Sequence, residues 1–263
     1  MKIKNKVLIL MLCISTVFMS LFAFPTFAST TGATAWFFKR TKDHTQPLLD
    51  CRLSFINNYD CVYVDKEHGD NCQEKVIYLT FDAGYENGNV EKILDVMKRQ
   101  DVKGTFFILE NLIVRNKELV LRMADEGHLV ANHTARHKDM SRITEIETFK
   151  KELNKLENIY KDNIGREMAK IYRPPEGRFS ELNLKHATEL GYKTVFWSFA
   201  YADWDNKAQM NETEAKEKIL SSIHNGAILL LHPTSETNAN IMEDVIIELK
   251  KQGYRFDTVD KIP

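Results

Sequence analysis

The sequence lacks an excess of charge of either sign, and beyond its first 28 residues it lacks a long apolar run. Lys and Arg number 36 against 37 Asp and Glu, which gives a formal net charge of −1. Proteins that bind nucleic acid usually carry a basic surplus, so this balance argues against a polyanionic partner. The absence of a second run of roughly 20 apolar residues argues against a further membrane span. No His-Glu-x-x-His run occurs, which argues against zinc-peptidase chemistry.

Cysteine is scarce, with four in 263 residues. Cys13 lies in the apolar N-terminal run, and the Leu10-Met11-Leu12 before it lacks the small residues expected ahead of a lipidated cysteine. The other three are Cys51, Cys61 and Cys72. In an exported chain they allow one disulfide and leave one thiol over, without indicating which pair forms. Their spacing is poor for a tetrahedral zinc site.

Residues 1–28 have the features of a secretory signal peptide. The basic head consists of Lys2, Lys4 and Lys6. Residues 7–24 are almost wholly apolar. The small residue Ala28 then provides a candidate cleavage site, and polar residues follow it. We therefore expect export across the cytoplasmic membrane, with cleavage favoured over a retained anchor. Without the three lysines the chain has 33 basic residues against 37 acidic ones, a net charge of −4.

The rest of the chain divides into an N-terminal extension, residues 29–74, and a domain, residues 75–263. The length suits one large globular domain, or two small ones, with an ample core. The extension is irregular in pattern but contains aromatic residues, which we expect to pack it onto the domain. They are Trp36, Phe37, Phe38, Phe55, Tyr59 and Tyr63.

From residue 75 onward, short apolar runs rich in β-formers alternate with segments of helical periodicity. The predicted strands cover residues 76–81, 105–109, 128–132, 169–172, 193–199, 227–231 and 254–259. The predicted helices cover residues 90–97, 119–126, 144–165, 180–191, 212–224 and 241–252. Cap signals begin two of them, a capping box at residues 144–147 and Ser180. This alternation predicts an α/β fold, and about seven parallel strands suit a distorted (β/α) barrel better than an open sheet.

The ends of separate predicted strands carry five polar residues, Asp82, His133, Arg173, Asp203 and His232. In α/β folds the active residues gather at the carboxyl ends of the strands, so we expect these side chains to share one site. His137 follows His133 by four residues. We expect a helical turn here, because that spacing would let one divalent cation bridge both imidazoles.

Five segments resemble, in order, the five motifs of the polysaccharide deacetylases, also called carbohydrate esterase family 4. They are Thr80-Phe81-Asp82-Ala83-Gly84, His133-Thr134-Ala135-Arg136-His137, Arg173-Pro174-Pro175-Glu176-Gly177, Tyr201-Ala202-Asp203-Trp204 and Leu230-Leu231-His232. The similarity covers roughly residues 75–262. Residues 82–89 and the Trp36-Phe37-Phe38 run resemble most the sporulation branch, the delta-lactam-biosynthetic de-N-acetylases that act on muramic acid in spore-cortex peptidoglycan.

Hydrolysis of an acetamide needs a nucleophile, a place for the developing oxyanion and an acid for the leaving amine. A metal held by His133 and His137 would acidify water and polarise the acetyl carbonyl. Asp82 would be the general base and His232 the general acid. The resemblance implies the same roles, and zinc is the expected ion.

Two further residues would orient these groups. The guanidinium fork of Arg173 matches a carboxylate, so we assign it to orient the base. Asp203 would hold the acid in its protonated orientation. The resemblance implies a substrate groove that includes Glu176, Trp204 and Leu230.

One position departs from the family pattern. Most members carry a second Asp directly after the base, which completes a His-His-Asp metal site, whereas this chain has Ala83 there. Catalytic zinc sites usually have three protein ligands, so two imidazoles alone would be a weak site. We favour Asp82 as a direct metal ligand as well as the base. Waters that fill the gap, or a loosely bound metal, are the alternatives.

The leading functional prediction is metal-dependent hydrolysis of the N-acetyl group of muramic acid in peptidoglycan, leading to muramic delta-lactam in spore cortex. An upstream amidase should first remove the stem peptide from this substrate. We expect a monomer in the cell envelope or forespore cortex space. Two alternatives stay open: a deacetylase of N-acetylglucosamine in peptidoglycan or chitin-type glycans, and a non-catalytic glycan-binding homologue, which Ala83 suggests.

Overall fold

The computed structural model describes residues 32–41 and 43–263, so the predicted leader and Cys13 lie outside the described residues. Its strands are β1 (Thr34–Ala35), β2 (Cys61–Val62), β3 (Lys75–Ala83), β4 (Thr105–Ile108), β5 (Leu129–Asn132), β6 (Ile171–Tyr172), β7 (Arg178–Phe179), β8 (Lys193–Val195), β9 (Ala227–Leu231) and β10 (Tyr254–Phe256). Its α-helices are α1 (Asn89–Arg99), α2 (Glu110–Arg115), α3 (Lys117–Asp125), α4 (Ile146–Ile164), α5 (Glu181–Glu189), α6 (Glu212–Ser222) and α7 (Glu236–Lys251). None of these described helices has the length and apolar character needed to cross a bilayer.

Eight strands form one parallel sheet. Strands β10 and β4 pair with successive parts of one edge of β3, and β9 pairs with its other edge. From β4 the order continues through β5, β6 and β8 to β2. The sheet curls back on itself, because the segment after β8 returns to β9. Ser198 N–H donates to the Ile228 carbonyl at 3.0 Å, and Leu230 N–H donates to the Phe199 carbonyl at 2.8 Å. The predicted distorted (β/α) barrel is therefore confirmed, and seven of the eight parallel strands come from residues 75–263.

The side chains of β3 alternate between two apolar layers. The outer layer, which helices α1, α3 and α7 complete, includes Ile77, Leu79, Phe81 and Ala83. The inner layer, shared with β4, β5, β8 and β9, includes Val76 and Tyr78. Successive side chains of a strand point to opposite faces, so Asp82 lies on the inner side. It therefore stands at the carboxyl end of the barrel.

Most predicted elements match the observed ones within a few residues, and the differences have local causes. The capping box predicted at residues 144–147 is wrong, because Glu145 is the N-cap of α4 and makes no side-chain cap hydrogen bond. Ser180 does cap α5, in a capping box with Asn183. The strand predicted to reach residue 199 ends at Val195, because its backbone then turns to bond β2 and β9. Helix α2 has no counterpart among the predicted helices.

The N-terminal extension forms part of the barrel wall. Strand β2 adds to the edge of β8, and the short strand β1 pairs with β7 in an antiparallel ladder. An apolar cluster joins the extension to the domain through Trp36, Leu53, Ile56, Tyr63, Val64, Phe179, Leu184 and Phe196. Within the described residues the three cysteines are free thiols, Cys51, Cys61 and Cys72.

The extension also closes the amino ends of the strands. Asp65 N–H donates to the Gly226 carbonyl at 2.9 Å. The Asp65 carboxylate accepts hydrogen bonds from the Tyr78 hydroxyl and from His68 Nδ1, each at 2.6 Å. Gly226 has a left-handed backbone (φ +71°), and a Cβ there would overlap the Asp65 carbonyl. Only glycine fits this approach of extension and barrel.

Candidate active site

Asp82 and Arg173 form a buried ion pair at the carboxyl end of the barrel. Arg173 Nη1 donates to Asp82 Oδ1 at 2.8 Å, and the Arg173 side chain is fully buried. Its other nitrogens donate to backbone carbonyls, Nε to Val195 at 3.1 Å and Nη2 to Phe196 at 3.3 Å. The guanidinium carbon also lies 4.0 Å from the centre of the Phe107 ring. These contacts fix the guanidinium, and Asp82 is the acidic side chain that it meets.

This pairing sets the charge of Asp82. Burial acts to raise the pKa of the carboxyl group, but the charges of His133, Arg173 and His232 and the hydrogen bond from Arg173 hold it below its usual value. Asp82 is therefore ionised at neutral pH and can accept a proton. Because the charge of His232 contributes, the predicted base and the predicted acid act on each other within one site.

His232 and Asp203 form the second pair. His232 Nδ1 lies 2.7 Å from Asp203 Oδ1, and the His232 backbone N–H donates to Asp203 Oδ2 at 2.8 Å. Asn238 Nδ2 donates to the same Oδ2 at 2.7 Å. Burial acts to lower the pKa of His232, but the hydrogen bond and charge of Asp203 outweigh it and raise the pKa above its ordinary value. The imidazole therefore stays protonated to a higher pH than a free histidine, which suits a general acid.

The two histidines of the second motif do not lie on a helical turn, so the conformation predicted for them is wrong. Residues 133–139 form a loop directly after β5. Thr134 (φ 71°) and His137 (φ 55°) have left-handed backbones, which are uncommon outside glycine and interrupt a helix. The loop nevertheless brings the imidazoles of His133 and His137 together, with ring centroids 5.1 Å apart.

His133 has one ring nitrogen, Nε2, with a lone pair available to a metal. Its Nδ1 lies 2.9 Å from the Arg173 carbonyl oxygen and must donate to it, since a carbonyl only accepts. Burial lowers the pKa of His133 to about 4, so the ring is neutral and Nε2 keeps its lone pair. Nε2 lies 3.4 Å from Asp82 Oδ2. That distance is close to the separation of about 3.3 Å between a nitrogen and an oxygen bound to one tetrahedral zinc ion.

His133, His137 and Asp82 have the donor types that suit a divalent ion, although the three side chains are not gathered around a single point. Across residues 32–41 and 43–263, no group of three or more His, Cys, Asp or Glu is gathered closely enough to hold a metal. Two imidazoles and one carboxylate are donors typical of catalytic zinc sites. His137 is exposed and makes no hydrogen bond with the described residues, so its ring is free to turn toward His133 and Asp82.

Ala83 supplies no ligand. Its methyl group is fully buried in the outer apolar layer, on the side of β3 opposite to Asp82. Asp82 is thus the one carboxylate that β3 offers to His133.

The three residues predicted to bind substrate lie in different surroundings. Trp204 is 63% exposed, and its ring stands in a T-shaped contact with His232, with centroids 6.3 Å apart. Glu176 is exposed and has a left-handed backbone (φ 57°) in the loop after Arg173. Leu230 is largely buried near the end of β9. The side chains of Trp204 and Glu176 are therefore accessible to a substrate, whereas that of Leu230 is mostly covered.

Sequence reasoning missed three residues of the site. Tyr85 is 45% exposed, and its hydroxyl accepts a hydrogen bond from Asn206 Nδ2 at 2.8 Å. This bond joins the loop after β3 to the loop that carries Trp204. The available signal was an aromatic residue three positions after Asp82. Asn238 lies on α7 and donates a hydrogen bond to Asp203. No motif or spacing in the sequence pointed to this residue.

Comparison with known proteins identifies relatives of this chain. The family model described as polysaccharide deacetylase matches residues 69–195. The peptidoglycan-N-acetylmuramic acid deacetylase PdaA of Bacillus subtilis (strain 168) is 42% identical over 229 residues, which cover 86% of this chain and 84% of that protein. The solved structure of Bacillus subtilis PdaA, a family 4 carbohydrate esterase, matches with a TM-score of 0.82 and 39% identity, covering 88% of this chain and 97% of that chain.

A more distant relative has a different sugar in its name. The peptidoglycan-N-acetylglucosamine deacetylase PgdA of Listeria monocytogenes serotype 1/2a (strain 10403S) is 32% identical over 188 residues. The match covers 72% of this chain but 39% of that protein.

Proposed function

Since the chain belongs to the polysaccharide deacetylase family and is a hydrolase of glycan N-acetyl groups, we propose that it acts on N-acetylmuramic acid in peptidoglycan. The relative with this substrate in its name supports the choice, because it matches over most of both chains. One observation carries the catalytic part of the proposal. Arg173 binds the Asp82 carboxylate and lowers its pKa, Asp203 binds His232 and raises its pKa, and the charges of Asp82 and His232 act on each other.

In the proposed reaction, Asp82 accepts a proton from the water that attacks the acetyl carbonyl carbon. His232 donates its proton to the amide nitrogen as the carbon–nitrogen bond breaks. Nδ1 of His232 faces Asp203, so Nε2 is the nitrogen that meets the substrate. The products are acetate and a sugar with a free amine. Trp204 stands over His232, where its exposed ring can pack against a sugar.

We propose that a divalent metal, zinc by preference, is held by His133, His137 and Asp82. Such an ion would polarise the acetyl carbonyl and lower the pKa of water. Asp82 has one oxygen for each neighbour, since Oδ1 receives the Arg173 hydrogen bond and Oδ2 faces His133. Oδ2 is thus the oxygen open to both a proton and an ion.

The setting proposed for the reaction is outside the cytoplasmic membrane. The signal-peptide features of residues 1–28 support export, and we propose that the protein works there as a monomer. A muramic acid freed of its stem peptide carries a lactyl carboxyl group, which can form a lactam with the amine that deacetylation releases. An amidase would therefore act before this enzyme, and muramic delta-lactam in spore cortex would be the final product.

The test is acetate release by the purified full-length protein from peptidoglycan that an amidase has stripped of stem peptides. Zinc is added in one arm and a chelator in the other. We expect release that zinc supports, that the chelator stops and that Asp82→Asn abolishes. Release with the chelator present would overturn metal dependence.

The same assay on intact peptidoglycan and on chitin oligomers tests the substrate assignment. Release from these glycans, with none from the amidase-treated material, would move the substrate to N-acetylglucosamine. The distant relative named for that sugar makes this the second candidate.

A further inference from the structure

Trp36 of the N-terminal extension contacts two segments next to the active site. It is buried, and its indole Nε1–H donates to the Trp197 carbonyl at 2.9 Å. Its backbone N–H donates to the Gly177 carbonyl at 2.7 Å. Its ring stacks on Phe196, with centroids 4.6 Å apart and planes 18° apart. Each contact lies on a segment that also touches or follows Arg173.

The first segment, residues 195–197, contacts both Trp36 and Arg173. The carbonyls of Val195 and Phe196 accept hydrogen bonds from the Arg173 guanidinium. Trp36 holds the same segment through the next carbonyl and through the Phe196 ring. The segment lies where the backbone leaves β8, and the Phe196 N–H still donates to the Val62 carbonyl of β2 at 2.8 Å. Trp36 adds a side-chain hydrogen bond and a ring contact to this backbone support.

The second segment is the loop that follows Arg173 in the sequence. Gly177 has a left-handed backbone (φ +63°), and a Cβ there would lie 3.1 Å from Trp36 Cβ. Directly beyond it, β7 pairs with β1, in register Ala35 with Arg178. Trp36 therefore supports Arg173 in two ways. It binds the loop that follows Arg173 in the sequence, and it binds the segment whose carbonyls accept hydrogen bonds from the Arg173 side chain.

We infer that Trp36 is a positioning residue for the Arg173–Asp82 pair, which rests on the proposed role of Asp82 as the base. The Trp36 side chain is buried in the cluster that joins the extension to the domain, so we expect it to act on the catalytic step rather than on binding. A displacement of about 1 Å at a catalytic group can lower the rate on the order of 100-fold. Loss of Trp36 should therefore lower kcat and leave KM nearly unchanged.

The test compares Trp36→Ala with Leu53→Ala in acetate release by the full-length protein, on whichever glycan the wild-type protein deacetylates. Leu53 is as deeply buried in the same apolar cluster, but it makes no hydrogen bond to residues 195–197. Both variants are assayed well below their melting temperatures. We expect kcat to fall at least about tenfold for Trp36→Ala with KM within about twofold, and both constants to stay within about twofold for Leu53→Ala.

Two further variants separate positioning from packing. Trp36→Phe keeps an aromatic ring against Phe196 but loses the indole N–H, so its kcat should lie between the wild-type and Trp36→Ala values. In an Arg173→Lys background, Trp36→Ala should change kcat less than about twofold, because the fork that Trp36 positions is already absent.

Equal losses of kcat in Trp36→Ala and Leu53→Ala would overturn the inference, whether or not the Arg173→Lys protein retains activity. So would a Trp36→Ala variant that raises KM alone. If the wild-type protein releases no acetate from any glycan, the proposed function fails instead.

Discussion

Asp203 binds His232 twice, through the ring nitrogen Nδ1 and through the backbone N–H of the same residue. One carboxylate thus fixes both where the residue lies and which way its ring faces. Asn238 holds that carboxylate from the other side. The imidazole has little freedom to rotate, and its Nε2 remains directed away from Asp203.

Replacement of Asp203 should shift the pH dependence of the reaction. Asp203 raises the pKa of His232 against the effect of burial, so Asp203→Asn should lower it. An acid with a lower pKa loses its proton at lower pH, and the alkaline limb of kcat/KM should therefore move to lower pH. We expect kcat to fall about 100-fold. The control is Asp205→Asn, because Asp205 is an exposed residue of the same loop, and it should leave the pH profile of kcat/KM unchanged. An alkaline limb that does not shift in Asp203→Asn would contradict the role of Asp203 in raising the pKa of His232.

Replacement of Asp82 should affect stability as well as activity. Asp82→Asn leaves the fully buried Arg173 without its counter-charge, which should lower the free energy of unfolding by about 3 kcal/mol. Urea denaturation in the presence of a chelator measures this without a contribution from metal. The control is Glu243→Gln, which removes the charge from the exposed pair with Arg99 and should leave the free energy of unfolding nearly unchanged, because solvent screens exposed pairs. Equal effects of the two changes would show that the buried pair is not special.

Metal binding should be visible as a change in melting temperature. A ligand present at 100 times its dissociation constant stabilises the folded state by about 2.7 kcal/mol, so zinc should raise the melting temperature of the wild-type protein. His137→Ala removes one of the three proposed donors and should lose most of this rise. His44→Ala, an exposed histidine on the extension, is the control that should keep it. A zinc response unchanged by His137→Ala would exclude His137 as a ligand.

The stability that Asp65 contributes at the amino ends of the strands should depend on pH. Burial acts to raise the pKa of Asp65, but hydrogen bonds from Tyr78 and His68 hold it below its ordinary value. A lowered folded pKa contributes stability above the unfolded pKa of about 3.9, and this contribution is lost as pH falls through the folded pKa. Asp65→Asn should therefore be less stable than wild type at pH 7, and the difference should shrink in acid. Urea denaturation of both proteins at pH 7 and in acid measures this difference in the free energy of unfolding.

The control for Asp65 is Asp101→Asn, since Asp101 is almost fully exposed. It should show no such dependence on pH. A constant difference between Asp65→Asn and wild type at all pH values would contradict the assignment.

The sequence predicted which residues meet at the site better than it predicted their conformations. Asp82 lies near the end of β3, and Arg173 and His232 directly follow β6 and β9. Because parallel strands end at one edge, strand order alone brings these three together. Asp203 lies in the longer segment after β8. The histidine loop was mispredicted because a spacing of four residues suggested a helix. Its actual path depends on a left-handed Thr134, which a β-branched residue adopts only under tertiary constraint.

Long-range contacts of the extension were beyond a reading of local pattern. The aromatic residues of the extension suggested packing, but no periodicity indicated that Trp36 would stack on Phe196 or that β2 would extend the sheet beside β8. Such pairs join positions more than 100 residues apart in the chain. Helix α2 was missed for a different reason: at 6 residues it is too short to show a clear helical period.

Strand β3 is hydrogen-bonded along both edges, to β9 on one side and to β10 and then β4 on the other. Its amide protons can exchange with solvent only after several neighbours separate, so they should be among the slowest to exchange. Asp82 sits near the end of this strand, whereas Trp204 and Tyr85 project from loops at the surface. The proposed base is thus carried by the part of the molecule that we expect to open last. The exposed side chains of Trp204 and Tyr85 lie on loops, so they can move without separating the strands that hold Asp82.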